Sequence, residues 1–313
     1  MASDAQGIRL LVMVGPTAVG KTALSLRLGS AFGGEVVSAD SRQVYRGMDI
    51  GTAKATLAER AAVPHHLIDI VDPDDELTLA HYQRMAADTI AAIVDRGALP
   101  MLVGGSGLYV RAVTEGWTVP EVPPDPVLRA QLEREAAEQG HASLHARLAA
   151  VDPAAAQRID ARNVRRVIRA LEVYETLGQP ISALQNKANP GYRLCTIGLT
   201  LPRPALYERI DARVDRMMVD GLVDEVRGLV ARGYGYALPA MSALGYQQIG
   251  QHLRGEVVLD EAVALIKRHT RRFVRQQYNW FRLSDPAIRW FEASPAAESE
   301  VFRAVESFLT GAG

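Results

Sequence analysis

The sequence predicts an α/β fold in which a doubly wound parallel sheet carries an inserted all-helical domain. Three observations predict it. Short apolar runs alternate with helical patterns, as in parallel sheets whose strands are joined by helices. A glycine-rich loop follows the first run and opens a helix. The middle of the chain has helical patterning and no strand-like run. With 313 residues, 48% of them hydrophobic, the chain can form one large domain or two smaller ones.

The first apolar run, Leu10 to Val14, leads into Gly15-Pro16-Thr17-Ala18-Val19-Gly20-Lys21-Thr22 and then into a helical pattern. A glycine, four residues and Gly-Lys-Thr form the spacing of a P-loop, and strand, loop and helix are the context that this motif needs. Loop N–H groups and the helix N-terminus surround a phosphate, Lys21 adds a charge, and the Thr22 hydroxyl is a candidate Mg²⁺ ligand. The motif predicts a P-loop NTPase-like fold and a polyphosphate site. A glycine-rich turn that matches by chance is the alternative.

The second predicted strand, Glu35 to Ala39, ends at Asp40-Ser41-Arg42-Gln43. Ligands of parallel α/β sheets bind beyond the carboxyl ends of the strands, so Asp40 is expected near the P-loop. A carboxylate there can act as a general base, but a role as turn former or outer Mg²⁺ ligand fits the spacing equally well. His65-His66 is expected in a loop. A helix then ends near Gly97, and its predicted buried face consists of Tyr82, Met85, Ile90, Ile93 and Val94.

The third predicted strand, Leu99 to Val103, ends in a second glycine-rich stretch, Gly104 to Tyr109. Its glycines allow another segment to approach closely, and Ser106 can hydrogen-bond a ligand. An ordinary strand-to-helix turn has the same pattern, so this stretch alone does not decide between the two.

Clustered prolines from Val119 to Pro126 mark the start of the insertion, because proline continues neither a helix nor a central strand. Within it, Asp152-Pro153 predicts a helix N-terminus and Gly178 a helix end. After a turn-rich break, Leu194 to Leu201 resumes a strand pattern. A single continuous domain with extra helices is the alternative. The predicted division is a discontinuous P-loop core, 1–119 and 191–313, around a helical insertion, 120–190.

Past the insertion, Pro204 opens one long predicted helix that ends before Gly233. Arg209, Arg213 and Arg216 share the face opposite its apolar side, where an arginine can clamp a phosphate or simply face solvent. A last long helix is basic between residues 267 and 282 and has aromatic residues toward its end. A short strand near 288–291 and a closing helix complete the prediction.

The charge balance gives no general attraction to nucleic acid, because 35 Lys and Arg residues are offset by 36 Asp and Glu residues, for a net charge of -1. Local basic patches on the insertion and the last long helix can neutralise RNA phosphates, or they form solvated helix faces. Cys195 is the only cysteine, which excludes an intramolecular disulfide and a cysteine-rich zinc module. Met1 to Gly7 lacks the pattern of a signal peptide and no apolar run reaches membrane-spanning length, so a cytoplasmic protein is expected.

Six stretches, in consistent order from about Ile8 to Arg282, together resemble the tRNA dimethylallyltransferase family in its bacterial form without a zinc finger. Ser106 stands where the family usually has threonine, which keeps the hydroxyl group. The stretches are Gly-Pro-Thr-Ala-Val-Gly-Lys-Thr (15–22), Ser-Ala-Asp-Ser-Arg-Gln-Val-Tyr-Arg-Gly-Met-Asp-Ile-Gly-Thr-Ala-Lys (38–54), Val-Gly-Gly-Ser-Gly-Leu-Tyr (103–109), Arg-Arg-Val-Ile-Arg-Ala-Leu-Glu-Val-Tyr (165–174), Gly-Tyr-Gln-Gln (245–248) and Thr-Arg-Arg-Phe-Val-Arg-Gln-Gln-Tyr-Asn-Trp-Phe-Arg (270–282).

The resemblance implies transfer of a dimethylallyl group from dimethylallyl diphosphate to N6 of adenosine 37, in the anticodon stem-loop of tRNAs that read codons starting with U. The products are N6-(dimethylallyl)adenosine and pyrophosphate. Residues 15–22 would bind the diphosphate, with Mg²⁺ at Thr22. By resemblance, Thr17 orients the reacting groups, Arg213 contacts the pyrophosphate, and Asp40 orients and deprotonates the amine. A monomer without an obligate protein partner is expected. The implied tRNA contacts are Asp40, Ser41, Arg42, Gln43, Lys54, Ser106, Arg129, Arg165, Arg166, Arg169, Arg271 and Arg275.

Three other functions stay open. An ATP-dependent small-molecule or nucleoside kinase shares the P-loop and Mg²⁺, although the chain lacks an arginine-rich lid pattern and a strand ending in a Walker-B-type acid after Val103. A GTP-binding RNA chaperone is weakened by Asn186-Lys187-Ala188-Asn189, which lacks the aspartate of the guanine-reading signature. Prenylation of free AMP or ADP would leave the basic insertion and the basic helix without a role.

Overall fold

The computed structural model describes residues 7–311, so most of the Met1–Gly7 stretch, on which the expected absence of a signal peptide rests, lies outside the described residues. No described helix combines the length and the apolar character needed to cross a membrane. The strands are β1 (Ile8–Val14), β2 (Gly34–Ser38), β3 (His65–His66), β4 (Leu99–Val103), β5 (Tyr192–Thr200) and β6 (Arg289–Glu292). The helices are α1 (Lys21–Phe32), α2 (Leu57–Ala62), α3 (Leu79–Asp95), α4 (Gly107–Thr114), α5 (Pro126–Gln139), α6 (His141–Val151), α7 (Pro153–Arg158), α8 (Val164–Leu177), α9 (Ile181–Leu184), α10 (Arg203–Val219), α11 (Leu222–Ala231), α12 (Tyr246–Leu253), α13 (Leu259–Trp280) and α14 (Pro295–Thr310), with a short 3₁₀ turn at Ala240–Ser242.

The strand that leads into the P-loop, β1, lies inside the sheet, whose order is β3-β2-β4-β1-β5-β6. All strand pairings in the described sheet are parallel, with Val12 of β1 opposite Leu102 of β4 on one side and Thr196 of β5 on the other. The chain fills one side of β1 before it continues on the other side, so the strand order reverses beside β1. In such sheets ligands bind at the reversal, beyond the carboxyl ends of the strands. The predicted doubly wound α/β sheet is confirmed.

Successive residues of β1 point to opposite faces of the sheet, so the strand contributes to two apolar layers. Leu10 and Val12 pack in one layer with residues of α3, α4, α11 and α12, and Leu11 and Met13 pack in the other with residues of α1, α10 and α14. All four side chains are at most 1% exposed. Burial on both faces explains why β1 reads as a continuous apolar run rather than an alternating one.

The chain divides into two compact units, Met1–Thr114 with Gly191–Gly313, and Glu115–Pro190. The joints expected from the sequence are at 119/120 and 190/191. The second unit contains α5 to α9 and has its own apolar core, in which Leu132, Leu148 and Leu171 are fully buried. Asp152 caps α7 through the Ala155 amide, and Gly178 ends α8 in a left-handed conformation, as predicted.

Three local predictions are wrong. The long helix expected after Pro204 is two helices, α10 and α11, because Gly221 between them has a φ of 98°, a conformation that favours glycine. His65-His66 forms the edge strand β3, which pairs with β2, rather than a loop. Val94, expected on the buried face of α3, is 37% exposed, because the adjacent Ile93 takes the fully buried position.

Candidate active site

The P-loop between β1 and α1 contains residues with positive backbone φ angles. Gly15 has a φ of 140°, and a Cβ atom there would lie 2.4 Å from the Leu199 carbonyl oxygen, so this position requires glycine. Ala18 has a φ of 66°, in a region that residues with a side chain rarely adopt. Strain of this kind persists where the surrounding structure enforces it, commonly at ligand sites.

The Lys21 side chain contacts the backbone of the loop that precedes it. Its ammonium group donates to the carbonyl oxygens of Gly15 at 2.9 Å and Pro16 at 2.8 Å. Burial lowers the pKa of Lys21 to about 8, an effect that the Asp40 carboxylate opposes and the Arg213 guanidinium reinforces. The lysine therefore carries a charge at neutral pH but holds its proton less tightly than an exposed lysine does.

A first cavity of about 320 Å³ lies at the P-loop, and we call it the phosphate cavity. Thr17, Gly20, Lys21 and Thr22 line it on the loop side. Because Thr22 is the second residue of α1, the cavity also receives the positive end of that helix. These features suit an anionic ligand with several phosphate oxygens.

A second cavity of about 280 Å³ adjoins the first. Much of its wall is apolar, and the residues that contribute this wall lie on or near α10, α12 and α13: Ile210, Val214, Met217, Leu244, Ile266 and Phe273. Asp40, Ser41, Arg42 and Ser106 give it a polar rim. A flat, mostly apolar group with a polar edge, such as a nucleobase, matches this lining.

The two cavities share five lining residues, which we call the neck: Thr17, Asp40, Thr52, Gly105 and Arg213. Asp40 Oδ1 accepts a hydrogen bond from the Arg42 amide at 2.9 Å, which fixes the carboxylate at the end of β2. Arg213 Nη2 donates to the Thr52 carbonyl at 3.5 Å. Burial lowers the pKa of Arg213, and the Asp40 charge opposes this shift. A carboxylate and a guanidinium therefore both line the region where the cavities join. Asp40 shares the phosphate cavity with P-loop residues, as its position at a strand end predicts.

Ser106 connects the ends of two strands at the rim of the second cavity. Its Oγ accepts a hydrogen bond from the Ser41 amide at 3.0 Å, and its amide donates to the Ala39 carbonyl at 3.2 Å. The two loops can approach this closely because Gly104 has no side chain. A Cβ atom at position 104 would lie 2.0 Å from the Ala39 carbonyl oxygen. The close approach predicted for this glycine-rich stretch is present.

The side chains that follow Asp40 differ in their accessibility to RNA. Arg42 lines the second cavity and donates to the Pro239 carbonyl at 2.9 Å. Gln43 lines the phosphate cavity instead and donates to the Thr52 carbonyl at 3.2 Å. Lys54 is only 2% exposed at its side chain, where its ammonium pairs with Asp49 and Asp69. Lys54, for which an RNA contact is expected from the resemblance, therefore has its ammonium group engaged within the protein.

Two residues that support the site are absent from the predicted site residues, although one of them, Gln277, lies within the 270–282 stretch that carries the resemblance. Glu225 on α11 accepts hydrogen bonds from the amides of Asp49 at 2.9 Å and Ile50 at 2.7 Å, and from the Tyr246 hydroxyl at 2.5 Å. It thereby holds the loop that leads to Thr52. Gln277 on α13 contacts the P-loop itself. No local pattern identifies either residue, because their partners lie far away in the sequence.

The arginines expected to bind RNA fall into two groups. In the second unit, Arg165 and Arg166 are exposed on α8, whereas Arg129 and Arg169 pair with the fully buried carboxylate of Glu172 at 2.8 and 2.6 Å. In the first unit, Arg275 is exposed on α13, and Arg271 pairs with Asp211 and lies over the Tyr207 ring. Arg129 and Arg169 therefore support the fold of the second unit.

Among residues 7–311, no group of three or more His, Cys, Asp or Glu side chains is arranged to hold a metal ion. Thr22, whose hydroxyl group is the candidate Mg²⁺ ligand, nevertheless lines the phosphate cavity together with Asp40. Mg²⁺ commonly takes few protein ligands and completes its shell with substrate phosphates and water. The residues present fit that kind of site.

Comparisons with known proteins point to one family. The family model described as IPP transferase matches residues 43–284. A protein named tRNA dimethylallyltransferase from Roseiflexus sp. (strain RS-1) is 60% identical over 275 residues, which cover 88% of this chain and 90% of that protein. The crystal structure of the full-length tRNA isopentenylpyrophosphate transferase from Bacillus halodurans is 42% identical, covers 97% of both chains and has a TM-score of 0.72. A eukaryotic dimethylallyltransferase solved acting on tRNA is 25% identical, with a TM-score of 0.79, over 97% of this chain and 80% of that one.

Proposed function

Because the chain belongs to the IPP transferase family, we propose that it transfers a dimethylallyl group from dimethylallyl diphosphate to N6 of adenosine 37 in tRNA. The products are N6-(dimethylallyl)adenosine and pyrophosphate. One observation carries the proposal, namely that the phosphate cavity and the partly apolar cavity meet at a neck that contains Asp40, Thr17 and Arg213. This arrangement provides separate places for a diphosphate and for a base, with a carboxylate between them.

On the donor side, the chain stabilises a departing pyrophosphate. The C–O bond of the donor breaks as negative charge grows on the diphosphate, and the P-loop amides, Lys21 and Arg213 lie around the cavity that would hold it. A Mg²⁺ ion bound at Thr22 would neutralise part of the same charge. Thr17 lines both cavities and would orient the donor carbon toward the acceptor.

On the acceptor side, Asp40 acts as the general base. An exocyclic amine is a weak nucleophile, so removal of one N6 proton by the carboxylate as the C–N bond forms lowers the barrier. The adenine must leave the base stack to reach the second cavity, and an unpaired loop base costs less to extrude than a paired one. Ser41, Arg42 and Ser106 lie on the rim where such a base would enter.

The tRNA body would bind to exposed basic residues, Arg165 and Arg166 on α8 and Arg275 on α13. Neither AMP nor ADP is large enough to need these surfaces, which favours tRNA as the acceptor. We expect the chain to act as a monomer in the cytoplasm and to modify tRNAs that read codons starting with U.

The proposal is tested by incubating the protein with a labelled donor and an anticodon stem-loop that contains unmodified adenosine 37. We expect N6-(dimethylallyl)adenosine in the nuclease digest and one pyrophosphate for each modified base. Parallel reactions with free AMP and with γ-labelled ATP separate the alternatives. Prenylated AMP without modified RNA would favour the free nucleotide as acceptor, and transfer of the γ-phosphate without prenylation would favour a kinase.

The lowered pKa of Lys21 predicts how donor binding depends on pH. The free protein loses the Lys21 proton as pH rises through about 8, and the neutral amine attracts a diphosphate less than the ammonium does. The dissociation constant of dimethylallyl diphosphate, measured by calorimetry from pH 7 upward, should rise by up to about tenfold per pH unit above pH 8. In Lys21→Arg the rise should vanish, because the guanidinium keeps its proton. A constant affinity up to pH 10 in the unmodified protein would contradict the assignment.

Exposed arginines of the second unit should contribute to tRNA binding through charge. In Arg165→Ala/Arg166→Ala, the loss of up to two phosphate contacts should weaken binding at low salt and reduce the slope of log K against log salt by about 1 to 2. Filter binding across a salt series measures both quantities. Arg134→Ala, which removes an exposed arginine of the same unit, is the control and should change little. If the double variant keeps the wild-type slope, α8 does not contact the phosphate backbone.

A further inference from the structure

Gln277 is a polar side chain that is almost fully buried, with 3% exposure, on a helix whose neighbouring residues Arg275 and Gln276 are exposed. Its amide makes two hydrogen bonds to backbone groups. Oε1 accepts from the Thr17 amide at 2.9 Å, and Nε2 donates to the Gly105 carbonyl at 3.1 Å. An N–H can only donate and a carbonyl can only accept, so these partners fix which end of the side-chain amide is oxygen.

The two bonds join loops that follow different strands. Thr17 belongs to the loop after β1, Gly105 belongs to the loop after β4, and both are neck residues. A Cβ atom at position 105 would lie 2.3 Å from Gln277 Nε2, so glycine is required for this contact. The side chain of Gln277 therefore spans the gap between two walls of the neck.

The helix that carries Gln277 is itself firmly placed. Ile266 and Val274 of α13 are 2% exposed and pack in the two apolar layers of the core. The adjacent Tyr278 hydroxyl forms a hydrogen bond of 2.9 Å with Thr200 at the end of β5. Through Gln277 and Tyr278, α13 is hydrogen-bonded to residues at or after the carboxyl ends of β1, β4 and β5. These contacts fix the position of Gln277.

We propose that Gln277 is a positioning residue for the prenyl-transfer step. It holds the backbone of Thr17 at a fixed distance from Gly105, so that Thr17 faces the donor carbon at the neck. It also occupies the Thr17 amide, which leaves phosphate binding to the loop from Ala18 onward and to Lys21. Gln277 acts through backbone groups, so it should affect the transfer step more than donor affinity. This inference rests on the proposed function for its reaction.

The test compares Gln277→Met with Gln276→Met. Methionine has a similar length and volume but makes neither hydrogen bond, and Gln276 is the exposed neighbour on the same helix turn. Gln277→Met should reduce the single-turnover rate constant at saturating donor and stem-loop by about 10- to 100-fold, because small displacements of reacting groups have effects of this size. The dissociation constant of dimethylallyl diphosphate should stay within about threefold. Gln276→Met should match the wild type in both.

Hydrogen exchange provides a readout that does not depend on activity. In Gln277→Met, the peptide containing Thr17 should exchange faster, whereas a peptide within β4 should not. Gln277→Glu retains an acceptor for the Thr17 amide but places a carboxylate oxygen against the Gly105 carbonyl, so it should lose at least as much rate as Gln277→Met. It also serves as the second variant if Gln277→Met does not fold.

Three outcomes are decisive. A Gln277→Met rate within about twofold of wild type overturns the inference. Equal losses of rate and donor affinity, together with faster exchange across the whole core unit, also overturn it, since they indicate a merely structural residue. If the wild type does not modify the stem-loop at all, the proposed function fails, while the exchange measurement still reports whether Gln277 holds the Thr17 backbone.

Discussion

Asp40→Asn is expected to reduce the rate constant of prenyl transfer by about 10²- to 10⁴-fold, the usual contribution of a positioned general base. Asparagine preserves the size of the side chain, and its Oδ1 can still accept the hydrogen bond that the Arg42 amide donates to Asp40 at 2.9 Å. The substitution therefore removes the charge and the proton acceptor with little change in geometry. Single-turnover kinetics with saturating donor and stem-loop measure the effect on the chemical step.

The affinity for the donor should rise or stay unchanged in Asp40→Asn, even though the transfer rate falls. The Asp40 carboxylate stabilises the charged forms of Lys21 and Arg213, but it also repels an incoming diphosphate. Calorimetry should give an affinity for dimethylallyl diphosphate equal to or higher than that of the wild type. Asp74→Asn, at an exposed position outside both cavities, is the matched control and should leave both quantities unchanged. A transfer rate within about threefold of wild type in Asp40→Asn would exclude Asp40 as the base.

Glu172→Ala should destabilise the second unit by about 3 to 5 kcal/mol, the usual cost of breaking a buried ion pair from one side. The Glu172 side chain is 0% exposed and accepts hydrogen bonds from Arg129, Arg169 and the Asp125 amide at 2.6 to 2.9 Å. Its removal leaves two guanidinium groups without their carboxylate. Hydrogen exchange of α5 and α8 measures the loss. Glu175→Ala on the same helix, where the carboxylate is 43% exposed, should cost at most about 1 kcal/mol.

The Glu172 carboxylate also makes the stability of the second unit depend on pH. Burial alone would raise the pKa of Glu172, but the hydrogen bonds from Arg129, the Asp125 amide and Arg169 outweigh burial and lower it below 4.5. A carboxylate with a lowered pKa in the folded state contributes stability above its unfolded pKa and loses that contribution as pH falls through the folded value. The second unit should therefore weaken as the solution is acidified below pH 4.5, and Glu172→Ala should show a smaller change over this range. An equal acid dependence in both proteins would contradict this explanation.

Much of the core was predictable because its signals are local. The strand, the P-loop and the helix of residues 10–28 are adjacent in sequence, and the rule for parallel sheets places Asp40 at the carboxyl end of the next strand. The edge strand at His65-His66 escaped prediction because two residues carry no periodicity. The division of the long helix at Gly221 escaped because apolar spacing continues across it.

Pairings between distant residues were not predictable. Lys54 is a tRNA contact implied by the resemblance, and only the fold shows that its ammonium pairs with Asp49 and Asp69. Arg169 belongs to a predicted basic patch and Arg129 is a tRNA contact implied by the resemblance, yet both pair with the buried carboxylate of Glu172. Gln277 is separated from Thr17 by 260 positions. A sequence pattern gives the type of a residue, whereas its partner depends on which segments the fold brings together.

The order of the strands has a consequence for synthesis on the ribosome. β5, the neighbour of β1, is made only after the whole of Glu115–Pro190 has been translated, and α13 follows later still. Since domains generally fold as units while the chain emerges, the helical unit can fold while β1 still lacks one neighbour. The Thr17 amide of the P-loop can donate its hydrogen bond to Gln277 only when translation is nearly complete, so truncated chains that end before α13 would carry the phosphate-binding motif without the contact that fixes it.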